Sequence, residues 1–151
     1  MSFFDYPAST QAGTAPGWGF LDGVSDAQWS RFKAHCEVRR FADGAAIVAA
    51  GDVDRSLWVV QAGELGVRVP GRRREHVVGC GTVFGEVAFF DAQPRSADIV
   101  AIGNVELLAL TYENFERLAV AEPAFAVSLL LDLGRFLSQR LRAADALAAG
   151  H

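Results

Sequence analysis

The residues able to do chemistry are concentrated between Phe84 and Ala97, in the stretch FGEVAFFDAQPRSA. Gly85 lets backbone come close to a bound group. If Glu86 to Phe90 forms a short helical turn, its first N–H groups create an anion site, strengthened by the local dipole. Arg95 supplies a planar, permanently charged fork suited to phosphate oxygens. Ser96 adds a hydroxyl donor. Glu86 repels a phosphate but accepts from sugar hydroxyls. The set asks for a ligand with an anion and a hydroxyl close together, such as a sugar phosphate or a nucleotide. The spacing also fits a purely structural ion pair, Glu86 with Arg95, closing a loop, because buried arginines usually have a carboxylate partner. On spacing alone the two readings stand level.

The elements that must hold this stretch can be read on either side of it. Residues 1–20 are rich in Gly, Pro, Ser, Thr and Ala and are expected to form an irregular arm, either partly docked through Phe3, Phe4, Tyr6, Trp18 and Phe20 or mostly a mobile tail, the two readings standing level. Ser25-Asp26-Ala27-Gln28 is a capping box, with Val24 and Trp29 at the staple positions. The helix it opens should end near His35 to Glu37. From about 38 to 111, short β-like runs alternate with glycines: VRRF, AAIVAAG, LWVVQAG, LGVRV, HVVGCG, ADIVAI and VELLALT. That spacing predicts a mainly-β, antiparallel, jelly-roll-like β-roll of about eight strands. Pro70 to Arg74 reads as a hairpin tip, its three arginines solvated. Thr111 is a candidate N-cap for a helix over about 112–120. Pro123 suits the first turn of a last helix over about 124–148. Residues 21–148 should make one domain, with one N-terminal and two C-terminal helices.

Composition narrows the functional classes. Half of the 151 residues are hydrophobic, enough for one substantial core. A net charge of −4 argues against nonspecific binding to nucleic acid or a membrane surface. No apolar run approaches the roughly 18 residues of a membrane helix, and the start lacks the pattern of a secretory signal. Cys36 and Cys80 have no metal or redox spacing; both are expected to be reduced thiols in the cytoplasm, with Cys80 a packed strand residue. His35, His76 and His151 are scattered, so no metal site is expected. No Ser/His/Asp or Cys/His arrangement is suggested by spacing, and no catalysis is expected.

Phe84-Gly85-Glu86-Val87-Ala88 followed by Pro94-Arg95-Ser96-Ala97 resembles the phosphate-binding cassette of the cyclic nucleotide-binding domain family, which includes the catabolite activator, the protein kinase A regulatory subunit and the cyclic-nucleotide-gated channels. The likeness extends to the turn glycines Gly44, Gly51, Gly63 and Gly81, to Leu57–Gly63, and to Val105–Leu118. It implies reversible binding of cAMP or cGMP without catalysis and without a further cofactor. Arg95 should then bind the exocyclic phosphate oxygens and Glu86 the ribose 2′-hydroxyl. Ser96 should donate to the phosphate or touch the base, and Gly85, Val87 and Ala88 should present N–H groups. Val67 and His76 would flank the base. Leu133, Phe136, Leu137 and Arg140 are the candidates on the last helix for a lid over it.

Two departures from the family pattern stand out. Asp98 sits where a small hydroxyl residue is common, and would weaken phosphate binding unless it points away. Phe89-Phe90 is bulky and would narrow the pocket. The catabolite activator carries a helix-turn-helix after the last helix, the kinase and channel relatives carry other domains, and this sequence stops at His151; with its negative charge, direct DNA binding is not expected. Two expectations follow, a stand-alone sensor acting on a separate effector protein or a fragment of something longer, and Met1 with the arm after it favours the first. Related domains often dimerise through the last helix, and Leu130, Leu137 and Leu141 are compatible with such a homodimer. The rival expectation is a degenerate roll that serves protein–protein contact and binds no nucleotide.

Overall fold

The structure, a computed structural model, describes residues 25–149; the expected N-terminal arm lies outside them. Helix α1, Asp26–Ala34, begins as the capping box requires. Gln28 N–H donates to Ser25 Oγ, and Ser25 N–H donates to Gln28 Oε1, both at 3.2 Å. Six strands follow among the described residues: β1 Glu37–Phe41, β2 Ala46–Val48, β3 Leu57–Arg68, β4 Glu75–Val78, β5 Val83–Phe84 and β6 Asp98–Leu110. Helix α2, Glu86–Asp91, interrupts them between β5 and β6. Helices α3, Tyr112–Ala121, and α4, Pro123–Ala149, close the chain. None of these helices is long and apolar enough to cross a membrane.

All strand pairs are antiparallel, along the path β1-β6-β3-β4, with β2 also on β6 and β5 also on β3. This is the mainly-β roll expected between helices. The strands number six rather than about eight, for an identifiable reason. LWVVQAG and LGVRV form one strand, β3, and ADIVAI and VELLALT form one strand, β6. The glycines between them bend the ladder instead of ending it. The β3–β6 register shifts between Val60 and Glu64. There Gly63 has φ +88°, and a Cβ on it would strike the Asn104 carbonyl. A glycine that reads as punctuation in sequence is here a bulge. The two-residue strand β5 was too short to signal itself.

Two cores flank the sheet. Trp58, Val60, Leu65, Val67, Phe84, Ala97, Ile99, Leu107 and Ala109 fill the interior of the roll. Leu57, Val59, Val83, Leu108 and Leu110, from alternate positions, meet Phe32, Phe89, Leu118, Phe125, Leu129 and Leu133 from the helices. Both faces of 57–60 and 107–110 are therefore buried, which is why those runs are continuously apolar instead of alternating. The last helix splits its apolar residues the same way. Phe125, Leu129 and Leu133 are buried, whereas Val127, Leu130, Leu131 and Leu141 stay exposed.

The cysteines differ. Cys36 is partly buried against the helical core, and burial pushes its thiol up to about 12. Cys80 is exposed, in the turn after β4, not in a packed strand as expected; β4 ends at Val78 and the glycines on either side of Cys80 favour the turn. At pH 8 Cys36 stays in the unreactive thiol form. A maleimide at pH 8 should therefore label Cys80 alone in the folded protein, and both cysteines in denaturant. Equal rates in the folded state would contradict this burial.

Candidate functional site

The site is built around the turn from β5 into α2. Gly85 is the N-cap of α2 in the left-handed region, φ +84°. This conformation, and the lack of a side chain, let Arg95 lie against the turn. A Cβ at Gly85 would stand 2.5 Å from Arg95 Nη1 and 2.7 Å from the Ser56 carbonyl oxygen. Gly85→Ala should therefore cost about 1–2 kcal/mol from the backbone conformation alone, and should also push Arg95 out of position. A combined loss of thermal stability and of ligand affinity is expected. Unchanged affinity in a folded Gly85→Ala protein would show that Arg95's placement there does not matter.

Arg95 is 8% exposed. Its Nη1 donates to the Gly85 carbonyl at 3.1 Å, and its Nη2 to the Ser56 carbonyl at 2.7 Å. Nη2 also stands 3.4 Å from Asp54 Oδ2, a partly exposed carboxylate. Burial lowers the Arg95 pKa; the carboxylates of Asp54, Glu86 and Asp52 oppose that shift. The Nε of Arg95 is buried and has no acceptor.

Glu86, at the start of α2, is 2% exposed. The structural pair that the spacing also allowed, Glu86 with Arg95, is not formed. Glu86 Oε1 instead accepts from Nη1 of Arg140 on α4. Arg95 is taken up by Asp54 and two carbonyls, because its own backbone pairs with the segment before β3: its N–H donates to the Asp52 carbonyl at 2.7 Å, and its carbonyl accepts from the Gly51 N–H at 2.8 Å. Arg140 also donates to the Val83 carbonyl at 2.9 Å, and its guanidinium lies 4.2 Å above the Phe136 ring. The second oxygen of Glu86, Oε2, is buried without a donor.

The remaining expected residues are spread over the cassette, the roll and α4. Phe84 is buried and stacks on Trp58 at 5.9 Å. Val87 is half-buried, Ala88 and Ala97 are buried, and Ser96 is exposed. Val67 faces the roll interior, paired with His76 on β4 and Ile99 on β6; His76 is half-buried. Of the four lid candidates, Arg140 reaches the cassette and Phe136 supports it. Leu133 is wholly buried in the helical core, and Leu137 is partly exposed.

Neither departure from the family pattern faces the cassette. Asp98 accepts from the Ala50 N–H at 2.7 Å, which turns it toward the chain after β2. Phe89 packs away, against Tyr112 at 5.6 Å and Phe115 at 5.3 Å, and so does not narrow a pocket; Phe90 is exposed. Asp54 and Ser56 were not anticipated. They lie about forty positions from Arg95, and nothing in the DVDRS run reveals that contact.

A family model for the cyclic nucleotide-binding domain matches residues 38–122. The cyclic AMP receptor protein of Thermus thermophilus is 33% identical over 111 residues, 71% of this chain and 50% of that protein. A cAMP-dependent protein kinase regulatory subunit from Colletotrichum orbiculare is 31% identical over 65% of this chain and 25% of its own length. Glutaminase 2 of Bradyrhizobium diazoefficiens is 32% identical over 72% of this chain but 17% of itself. The chain thus spans half or less of each of these relatives. Among solved structures, the Thermus thermophilus catabolite activator protein superposes with a TM-score of 0.75 at 28% identity, covering 86% of this chain and 61% of that one.

Proposed function

The chain belongs to the cyclic nucleotide-binding domain family, and from that premise we propose that it is a regulatory module that binds cAMP or cGMP. One observation carries this reading. Arg95 Nε is a buried donor without an acceptor, and Glu86 Oε2 is a buried acceptor without a donor. Buried polar groups are normally satisfied. An orphan donor on a cation and an orphan acceptor on a carboxylate, at the two ends of one short segment, suit a ligand that brings an anion and a hydroxyl.

In this reading the cyclic phosphate meets Arg95 Nε, the Ser96 hydroxyl and the backbone of Gly85, Val87 and Ala88. The ribose 2′-hydroxyl donates to Glu86. Val67 and His76 flank the base. Because Glu86 also holds Arg140, the sugar and α4 share one carboxylate, and ligand binding biases the position of α4. Leu133, Phe136 and Leu137 travel with it. The module performs no catalysis; its output passes through α4 to a separate effector protein. The exposed residues Val127, Leu130, Leu131 and Leu141 offer a seam for a homodimer. Duplex DNA is not a partner, since a net charge of −4 gives phosphates little attraction.

The second reading, a roll kept for protein contact without nucleotide, draws on the contacts that already engage Arg95 and Glu86. Thermal denaturation with cAMP, cGMP and 2′-deoxy-cAMP separates the two. A hydrogen bond to a charged group contributes about 1.5–3 kcal/mol. The deoxy analogue should therefore bind roughly 10–150-fold more weakly than cAMP. A stabilising effect of equal size from both would remove Glu86 from the site, and no effect from any of the three favours the second reading.

A further inference from the structure

The segment that leads into β3 touches the cassette at both ends. Asp54 and Ser56 hold Arg95, as described. Arg55, between them, turns the other way. Its Nε and Nη2 donate to the Phe89 carbonyl at 3.1 and 2.7 Å. That carbonyl is one of the last of α2, a six-residue helix whose end is otherwise held by the Ala92 N–H on the Ala88 carbonyl. The last carbonyls of a helix have no partner within it, so Arg55 supplies one from outside. The face of the same guanidinium lies 3.7 Å from the centroid of the Tyr112 ring, the first residue of α3.

From this geometry we propose that Arg55 is a positioning residue that ties the cassette helix to the C-terminal helices and carries ligand-induced movement of α2 into α3. The inference rests on the nucleotide-binding reading and deepens it. A guanidinium is suited to this task because it is planar: its edge donates to α2 while its face stacks on α3. A lysine ammonium can donate to the carbonyl but has no face to stack. Phe89 adds an apolar path between the same two helices, through Tyr112 and Phe115. That contact follows volume. The Arg55 contact is directional, so a shift of the Phe89 carbonyl displaces the guanidinium from the Tyr112 ring.

The test is amide hydrogen exchange on the full chain, with and without saturating cAMP or cGMP, over peptides covering 86–91 and 112–121. In the parent protein, nucleotide should change exchange in both segments. In Arg55→Ala and in Tyr112→Leu, the response at 86–91 should persist and the response at 112–121 should be lost. Affinity should change by no more than about tenfold, because no ligand contact is removed. Tyr112→Phe keeps the ring and should retain the full response. Arg55→Lys keeps charge and a donor but should not restore the response, and it carries the test if Arg55→Ala does not fold. A merely structural role would lower melting temperature in these variants and leave the response at 112–121 intact, which would overturn the proposal. A folded Arg55→Ala protein that binds no nucleotide would also overturn it, by making Arg55 part of the binding machinery. If the parent binds neither nucleotide, the sensor reading itself fails and this proposal with it.

Discussion

Replacing Arg95 with alanine should lower affinity for cyclic nucleotide by roughly 30–1000-fold, about 2–4 kcal/mol, through loss of charge-assisted hydrogen bonds. The guanidinium is the cation of the cassette and its Nε is the donor left without an acceptor. The same substitution strips hydrogen bonds from the Ser56 and Gly85 carbonyls. It should therefore also destabilise the fold, and binding must be measured well below the melting transition. Arg95→Lys keeps a point charge but not the fork that spans Gly85, Ser56 and a ligand. It should fall between the parent and Arg95→Ala. If Arg95→Ala lowers stability while leaving nucleotide affinity nearly unchanged, Arg95 is a structural arginine for Asp54 and the two carbonyls, and the phosphate assignment is wrong.

Arg140→Ala should produce the largest stability loss of any single substitution considered. Arg140 and Glu86 have side-chain exposures of 5% and 2%. Removing one partner of a buried pair typically costs about 3–5 kcal/mol, because the other is left buried and unpaired. For a domain of this size each kcal/mol shifts the melting temperature by about 2–4 °C, so a fall of roughly 6–20 °C is expected. Combining Glu86→Gln with Arg140→Met removes both charges and should recover a large part of that loss. That non-additivity would mark direct coupling. Strictly additive losses, or a change under about 1 kcal/mol for Arg140→Ala, would mean that α4 is not anchored to the cassette through this pair.

What the sequence revealed follows the range of the interactions involved. The Ser25–Gln28 box and the Thr111 cap are local, each closing within one helical turn, and both are formed. The roll was legible from its short apolar runs and turn residues. The merging of runs into β3 and β6 was not, because a bulge glycine and a turn glycine look alike until strand register is known. Gly85, Glu86 and Arg95 stand out in sequence because an acid, a cationic fork and a glycine share one short stretch, but spacing alone left a ligand site and a mutual ion pair level. Their partners do not stand out. Asp54 and Ser56 belong to the segment before β3, and Arg140 was one of four candidates on a helix whose facing could not be resolved from an apolar pattern spread around it. Arg55 gave no signal: a charged residue ahead of LWVV reads as a solvated loop, and only the orientation of the α2 carbonyls and the Tyr112 ring gives it a task.

The most direct test of the central claim is calorimetric titration of the protein, freed of co-purified nucleotide by unfolding and refolding, with cAMP and in parallel with cGMP. Saturable binding at micromolar affinity or tighter, about −8 kcal/mol or better, is expected, with one of the two nucleotides preferred. A folded sample that gives neither heat nor a thermal shift with either nucleotide would contradict that claim.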